Sequence, residues 1–128
     1  MSILTTEHLA HSVGGRNLVN DISVEIAVGE VLAVVGPSGS GKSSFLRLLN
    51  RLDEPTSGTV FLDHVDYRQI PSRELRLQVA MVTQRAFLFP GTVYDNVIFG
   101  PQQRGELFPD SRVEELLIRV GLARLCQA

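Results

Sequence analysis

The sequence predicts an α/β fold with a parallel core, an antiparallel β subdomain before it and the start of a helical subdomain after it. Two continuous apolar runs, at 31–35 and 79–82, are typical of buried strands in a parallel sheet. An alternating strand at 22–26 comes earlier, and a helical apolar stripe at 113–120 comes later. We therefore expect two regions, whose limits are 1–94 and 95–128.

Composition and charge restrict the class of protein. The 128 residues suffice for one modest domain, and the hydrophobic and charged fractions of 44% and 20% are typical of a globular chain. The net charge of -2 does not provide the excess of positive charge that is typical of proteins that bind nucleic acid, so no nucleic-acid partner is expected. No apolar run approaches a membrane span in length, and 1–7 lacks the features of a signal peptide. The single cysteine, Cys126, is expected to pack as a small apolar side chain.

The elements before residue 36 are predicted to be antiparallel strands. Residues 3–13 indicate a weak strand, and 14–17 indicate a turn. Ile22, Val24 and Ile26 then alternate with polar residues, which is the pattern of a half-buried strand.

The stretch 36–43 is the strongest chemical signal in the chain. It fits the phosphate-binding pattern G-x-x-x-x-G-K-[ST] at every fixed position. Glycines let the backbone curl so that N–H groups point at phosphate oxygens, and the helix that follows adds the partial positive charge of its N-terminus. Lys42 would contact the β and γ phosphates, and the Ser43 hydroxyl would be a ligand of Mg²⁺. The expected phosphate-binding residues are Gly36, Pro37, Ser38, Gly39, Ser40, Gly41, Lys42, Ser43 and Ser44.

Helices and a strand are predicted after this loop. A helix with one apolar face should run to about Leu52, followed by a turn at 53–58 and a strand at 59–62. A short helix should start at 71–74. The end of the chain predicts a short helix near 93–98, an irregular linker at 100–105 and a helix that begins with a capping box at Ser111.

The order of these features resembles the N-terminal part of the ATP-binding subunit of an ABC transporter. The resemblance covers essentially the whole chain, and the segments that carry it are 29–43, 49–58, 75–84 and 91–97. It implies a P-loop NTPase (RecA-like) core with an N-terminal antiparallel β subdomain, incomplete in this chain. It also implies that the protein binds ATP and Mg²⁺.

The resemblance identifies Gln84 as the glutamine of the family's Q-loop. In that role Gln84 would be the catalytic residue that reaches the attacking water, and it would join Ser43 as a ligand of Mg²⁺. An amide suits the role because it can accept one hydrogen bond and donate another. The ordinary alternative is a polar residue at the end of a strand.

The family also implies partners and a location. A transmembrane permease subunit would dock near 84–94, between Gln84 and Tyr94, where Phe87, Leu88 and Phe89 are either a partner surface or core packing. A second ATP-binding subunit would form a head-to-tail dimer in the full-length protein. The protein would then be cytoplasmic and peripheral on the inner face of the cell membrane.

The chain departs from the family pattern at three places. Val13 stands where the family usually has an aromatic residue that stacks on adenine, and His64 stands where it has a turn glycine. The Leu-Ser-Gly-Gly signature, the Walker B strand that ends in Asp-Glu and the switch histidine are absent from the sequence. These residues orient or activate the attacking water, so hydrolysis by this chain alone is not expected.

Three alternatives stay open from the sequence. One is a soluble ABC-type ATPase of DNA repair or translation, and another is a nucleotide-binding remnant without catalysis. The third is a small-molecule or nucleotide kinase, against which the antiparallel strands before the loop argue.

Overall fold

The computed structural model describes residues 1–126, and it divides into two compact units, Met1–Val82 and Thr83–Ala128. The first unit combines an antiparallel sheet with two short helices, and the second contains two longer helices. No helix within 1–126 is both long and apolar enough to cross a membrane. The boundary at 94–95 was predicted from sequence motifs and not from compactness, so it stays a prediction.

The first unit contains a four-stranded antiparallel sheet, which is built from β1 Ser2–Val13, β2 Arg16–Ala27, β3 Ser57–Leu62 and β4 Val65–Asp66. The strand order is β2-β1-β3-β4. The antiparallel strands predicted near the N-terminus are therefore confirmed. The Thr6 hydroxyl joins the two long strands, because it donates to the carbonyl oxygen of Ile22 at 2.9 Å and accepts from the Val24 amide at 3.0 Å.

The core of this unit lies between one face of the sheet and helices α1, Lys42–Leu49, and α2, Ser72–Gln78. Helix α1 begins directly after the phosphate-loop pattern and ends three residues before the predicted Leu52. A 3-10 helix at Tyr67–Gln69 adds a fully buried tyrosine. The buried apolar residues of the core are Leu4, Leu9, Val19, Phe45, Leu48, Leu49, Val60, Leu62, Tyr67 and Leu75.

Two predicted strands are wrong. Neither 31–35 nor 79–82 forms a strand, and Val31 and Val82 are 93% and 97% exposed. A central parallel strand needs hydrogen-bonded neighbours on both sides, and neither segment pairs with a strand within residues 1–126. The apolar composition of the two segments predicted burial, but without partner strands their valines are exposed in the described structure.

The second unit packs helix α3, Val93–Gln103, against α4, Asp110–Arg119, around Ile98, Val113 and Leu117. Cys126 is half-buried against this small core, as expected for a small apolar side chain. The predicted linker at 100–105 is wrong in part, because α3 continues through Pro101 to Gln103.

The predicted capping box at Ser111 is also wrong. Helix α4 starts at Asp110, directly after Pro109, so that Ser111 lies inside its first turn. The capping box of this unit is at the start of α3 instead. There, Thr92 Oγ1 accepts from the Asp95 amide at 3.1 Å, and Asp95 Oδ2 accepts from the Thr92 amide at 2.8 Å.

Candidate functional site

The phosphate-loop residues form an exposed turn that leads directly into α1. Gly39 and Gly41 have φ angles of 79° and 93°, a left-handed conformation that glycine adopts without steric cost. The Ser40 amide donates to the carbonyl oxygen of Pro37 at 3.2 Å and closes the turn. The sequence therefore places its glycines where the backbone curl needs them.

Strand β2 supports the end of the loop. A Cβ atom at Gly41 would lie 2.0 Å from the carbonyl oxygen of Leu18, so only glycine fits here. A Cβ atom at Gly36 would lie 2.8 Å from Ser40 Oγ, which belongs to a side chain that can rotate away. Leu18 was not identified from the sequence, because it supports the loop through its main chain and its side chain carries no signal.

Lys42 places its ammonium group against the oxygen atoms of the loop. Its Nζ atom donates to the carbonyl oxygens of Gly36 at 2.6 Å and Pro37 at 2.7 Å, and to Ser40 Oγ at 3.2 Å. An ammonium group has three N–H donors, so these bonds use all of them. Lys42 is also the only lysine in the sequence. The loop thus carries one positive charge within reach of its own backbone.

The start of α1 adds further groups that suit an anion. The first turn of the helix contains no acidic residue, so the partial positive charge of its N-terminus is not neutralised from within the helix. The Ser43 hydroxyl is exposed, and Ser44 is half-buried beside it. Hydroxyl oxygens are ligands that Mg²⁺ accepts, and helix N-termini bind phosphate through their free N–H groups. The residues of this segment therefore fit a magnesium-bound polyphosphate.

A cavity of about 510 Å³ lies between the loop, β2 and α1. Most of its lining is apolar and comes from β2, from the exposed run at 32–35 and from Phe45. The remaining lining includes residues of the loop and the start of α1, namely Gly36, Pro37, Ser40, Gly41 and Lys42. A phosphate group would therefore fit the loop side of this cavity, where Lys42 lies, rather than its apolar walls.

Gln84 lies in the second unit, at an exposed bend of the chain. The Thr83 hydroxyl donates to the carbonyl oxygen of Arg85 at 2.6 Å and so closes the backbone around it. The structure brings the predicted residues 36–44 together in one loop and helix end, whereas Gln84 belongs to the other unit. Its role toward a metal or a water stays a prediction.

Three phenylalanines and a leucine make an exposed apolar patch in the second unit, which we call the aromatic patch. Phe87 packs edge-on against Phe89 with ring centroids 5.2 Å apart, and Phe89 stacks on Phe99 at 4.1 Å. Phe87 and Leu88 are 77% and 72% exposed. The Asn96 side chain holds the backbone of Phe89 from both sides, with hydrogen bonds of 2.8 and 3.0 Å. The patch is therefore both solvent-facing and fixed in shape.

Comparison with known proteins decides the family. Residues 19–127 match the family model described as "ABC transporter". The chain belongs to the ABC transporter family. The P-loop NTPase core expected from the sequence follows from this membership and is present in part. Membership also removes the kinase alternative, and it assigns the chain to the ATP-binding part of the family.

Among curated ABC proteins, the chain is 48% identical to ABC transporter I family member 17 of Arabidopsis thaliana over 80% of this chain and 39% of that protein. It is 37% identical to the arginine transport ATP-binding protein ArtM of Bacillus subtilis, over 94% of this chain and 52% of the relative. It is 39% identical to the glutamine transport ATP-binding protein GlnQ of Escherichia coli, over 91% of this chain and 51% of that protein. The chain therefore spans about half of these relatives or less.

A solved ABC structure shares the fold of this chain. It is a bacterial Atm1-family ABC exporter with ATP bound, to which the chain aligns with a TM-score of 0.85 and 28% identity. The alignment covers 94% of this chain and 21% of the exporter chain. The similarity thus extends across both compact units of the ABC chain described here.

Proposed function

We propose that this chain binds the phosphates of ATP and forms the phosphate-binding part of an ABC transporter ATPase, which couples ATP binding and hydrolysis to transport. The observation that carries the proposal is the position of the Lys42 ammonium group, which lies against the curl of a glycine loop at a helix N-terminus. Family membership supports the choice of ATP.

Binding exchanges the partners of Lys42. Its ammonium group leaves the carbonyl oxygens of Gly36 and Pro37 for phosphate oxygens, while the loop amides and the N-terminus of α1 bind the same ligand. In the complete ATP-binding subunit, the Ser43 hydroxyl and the Gln84 amide oxygen would be ligands of Mg²⁺. When bound, Mg²⁺ would supply positive charge that stabilises the negative charge of the phosphate chain.

We propose that Gln84 also positions the attacking water during hydrolysis by the complete ATP-binding subunit. Its exposed amide can accept a hydrogen bond from water and donate another to phosphate. Gln84→Ala in the complete subunit should slow ATP hydrolysis at least tenfold with little change in ATP affinity. Gln102→Ala, an amide substitution at an exposed position of the same unit, serves as the control. An unchanged hydrolysis rate in Gln84→Ala would refute the role.

We propose that the aromatic patch is the docking surface for a transmembrane permease subunit. An exposed apolar surface that is fixed in shape favours a protein partner over solvent. This partner would hold the subunit, and a second ATP-binding subunit paired with it head to tail, on the cytoplasmic face of the membrane. Phe87→Ser should release the subunit from membranes that contain its permease. Leu107→Ser alters an even more exposed apolar residue of the same unit and should leave the subunit bound.

Selective labelling of Lys42 tests the phosphate-binding proposal directly. Lys42 carries the only side-chain amine in the sequence, so an amine-acylating reagent can modify just two groups, Lys42 and the chain N-terminus. We expect ATP with Mg²⁺ to slow acylation of Lys42 about tenfold or more in mass spectra, because phosphate oxygens shield the amine. The N-terminus should react at an unchanged rate and serves as the internal control.

Substitution of Lys42 gives the matching affinity measurement. Loss of its charge-assisted hydrogen bonds in Lys42→Ala should weaken ATP binding about 10- to 100-fold. Arg68→Ala removes the same charge beside the far edge of the sheet and should leave ATP affinity unchanged. The proposal fails if ATP binds equally well to Lys42→Ala, or if bound ATP leaves the acylation rate of Lys42 unaltered.

A further inference from the structure

We propose that Asn96 is the positioning residue of the aromatic patch, because its side chain fixes the backbone of Phe89, the residue that joins the patch together. The inference rests on the proposed docking function of this patch and concerns what sets its shape. It uses only contacts within the second unit, Thr83–Ala128.

The loop that carries the patch receives no support from other backbone groups. Residues 84–91 are all exposed, and none of their backbone groups is hydrogen-bonded to another backbone group within residues 1–126. Pro90 has no N–H to donate, and Gly91 has a φ angle of 134°, a conformation that favours glycine. Such a segment keeps a single shape only where side chains bind its polar groups.

Asn96 supplies this support through both polar atoms of its side-chain amide. Its Oδ1 atom accepts from the Phe89 amide at 2.8 Å, and its Nδ2 atom donates to the carbonyl oxygen of Phe89 at 3.0 Å. Nδ2 also donates to the carbonyl oxygen of Thr92 at 2.9 Å, so both of its N–H groups are used. Asn96 thus gives Phe89 the donor and the acceptor that a neighbouring strand would provide.

Helix α3 also holds the ring of Phe89. Phe99 lies three residues after Asn96 on α3, and residues at this spacing are neighbours on a helix surface. The ring of Phe89 stacks on Phe99 at 4.1 Å, and Phe87 packs edge-on against Phe89 at 5.2 Å. The position of the highly exposed ring of Phe87 therefore depends on how α3 holds Phe89, through the backbone and through the ring.

A surface that already has its bound shape docks without the entropy cost of ordering a loop. Loss of the Asn96 amide would leave every apolar side chain of the patch in the chain but would release the backbone that carries them. The cost of ordering 87–91 would then be added to the docking step. We therefore expect docking to weaken although the composition of the patch is unchanged.

Binding of the complete ATP-binding subunit to membranes that contain its permease tests the inference. Asn96→Asp keeps the acceptor for the Phe89 amide but places an oxygen against the carbonyl oxygens of Phe89 and Thr92. A negative charge near the N-terminus of α3 favours the helix, so a less stable helix would not explain weaker docking. The dissociation constant for the membranes should rise at least tenfold, and the affinity for ATP should stay within twofold.

Thr92→Ala is the matched control for this measurement. It removes the hydroxyl that accepts from the Asp95 amide but keeps the carbonyl oxygen that Asn96 binds, so only the start of α3 is weakened. Docking should change less than threefold. Equal losses in Thr92→Ala and Asn96→Asp overturn the inference, as does normal docking of Asn96→Asp when Phe87→Ser is released. If Phe87→Ser also stays bound, the proposed docking function itself fails.

Hydrogen exchange of the chain alone provides a measurement that needs no partner. The Phe89 amide should exchange at least tenfold faster in Asn96→Ala, because its acceptor is gone, and at an unchanged rate in Thr92→Ala. The amide of Phe99, inside α3, reports whether the helix remains folded. An unchanged rate at Phe89 in Asn96→Ala would show that this side chain does not hold the loop, and the inference would be overturned.

Discussion

Gly41 lies against the carbonyl oxygen of Leu18 so closely that a Cβ atom at residue 41 would be 2.0 Å from that oxygen. The contact joins the last glycine of the phosphate loop to β2, which is held in turn by its long pairing with β1. The position of the helix N-terminus is therefore set by a backbone contact with the sheet.

Gly41→Ala should destabilise the chain by more than about 2 kcal/mol and abolish measurable ATP binding, because strand and loop must move apart to admit the methyl group. Chemical denaturation and nucleotide titration measure the two effects. Gly39→Ala is the matched control, since Gly39 shares the left-handed backbone but a Cβ atom there meets no atom within 4 Å. It should cost only about 1–2 kcal/mol. Equal losses in the two variants would show that the contact with Leu18 is unimportant.

The turn between β3 and β4 contains two non-glycine residues with positive φ, Asp63 at 47° and His64 at 65°. Tight hairpin turns of this kind prefer Asp-Gly, because glycine adopts the second position without strain. His64→Gly should therefore raise the free energy of unfolding by about 0.5–1 kcal/mol. His64→Ala retains the strained backbone and should give no gain. A gain of the same size in His64→Ala would assign the effect to the imidazole ring instead.

Two carboxylates make stability depend on pH in the acid range. A hydrogen bond from Arg47 holds the pKa of Asp53 below its usual value, and one from Arg68 does the same for Asp66. Because these pKa values are lower in the folded chain than in the unfolded chain, their contribution is present above about pH 4 and is lost as pH falls below it.

Asp53→Asn should lower the free energy of unfolding by less than about 1 kcal/mol at pH 7, as for other partly exposed ion pairs. The difference from the unsubstituted chain should shrink steadily as pH is lowered from 4 toward 2. Glu7→Gln removes one negative charge from an exposed position of β1 and serves as the control. A penalty for Asp53→Asn that stays constant across this range would contradict the ion-pair explanation.

The first turn of α3 depends on Thr92. Thr92→Ala removes the acceptor for the Asp95 amide and should cost about 1 kcal/mol, with loss of hydrogen-exchange protection confined to the start of α3. Ser111→Ala is the informative comparison, because Ser111 sits inside α4 and should tolerate alanine without loss. Protection that is lost on substitution of Ser111, and kept on substitution of Thr92, would reverse the assignment of the caps.

In the first unit, local sequence patterns predicted strands correctly only where the described residues supply a neighbouring strand for them to pair with. The alternation of Ile22, Val24 and Ile26 predicted β2 correctly, since β1 is close in sequence and pairs with it. The run at 31–35 has the same apolar character, yet the described residues provide it with no partner strand. Burial is a property of the whole fold, so a short apolar run cannot specify it alone.

The phosphate loop was predictable because its glycines and Lys42 act through local backbone geometry. Its support by Leu18 was not, since any residue has a carbonyl oxygen at that place. The two capping patterns show the same limit, because Thr92 and Ser111 are both followed three residues later by an acidic residue. Pro109 starts α4 earlier, so only Thr92 occupies a helix end.

Lys42 already makes three hydrogen bonds within the loop. The affinity of the loop for a ligand therefore depends on the difference between the bonds gained with the ligand and the bonds lost within the loop. A single phosphate group that reaches only Lys42 replaces oxygens that the ammonium group already has, so it gains little. A longer anion that also reaches the loop amides and the N-terminus of α1 gains contacts that the loop cannot give itself. The loop should thus select ligands by the length of the phosphate chain as well as by charge, and orthophosphate should compete weakly with tripolyphosphate.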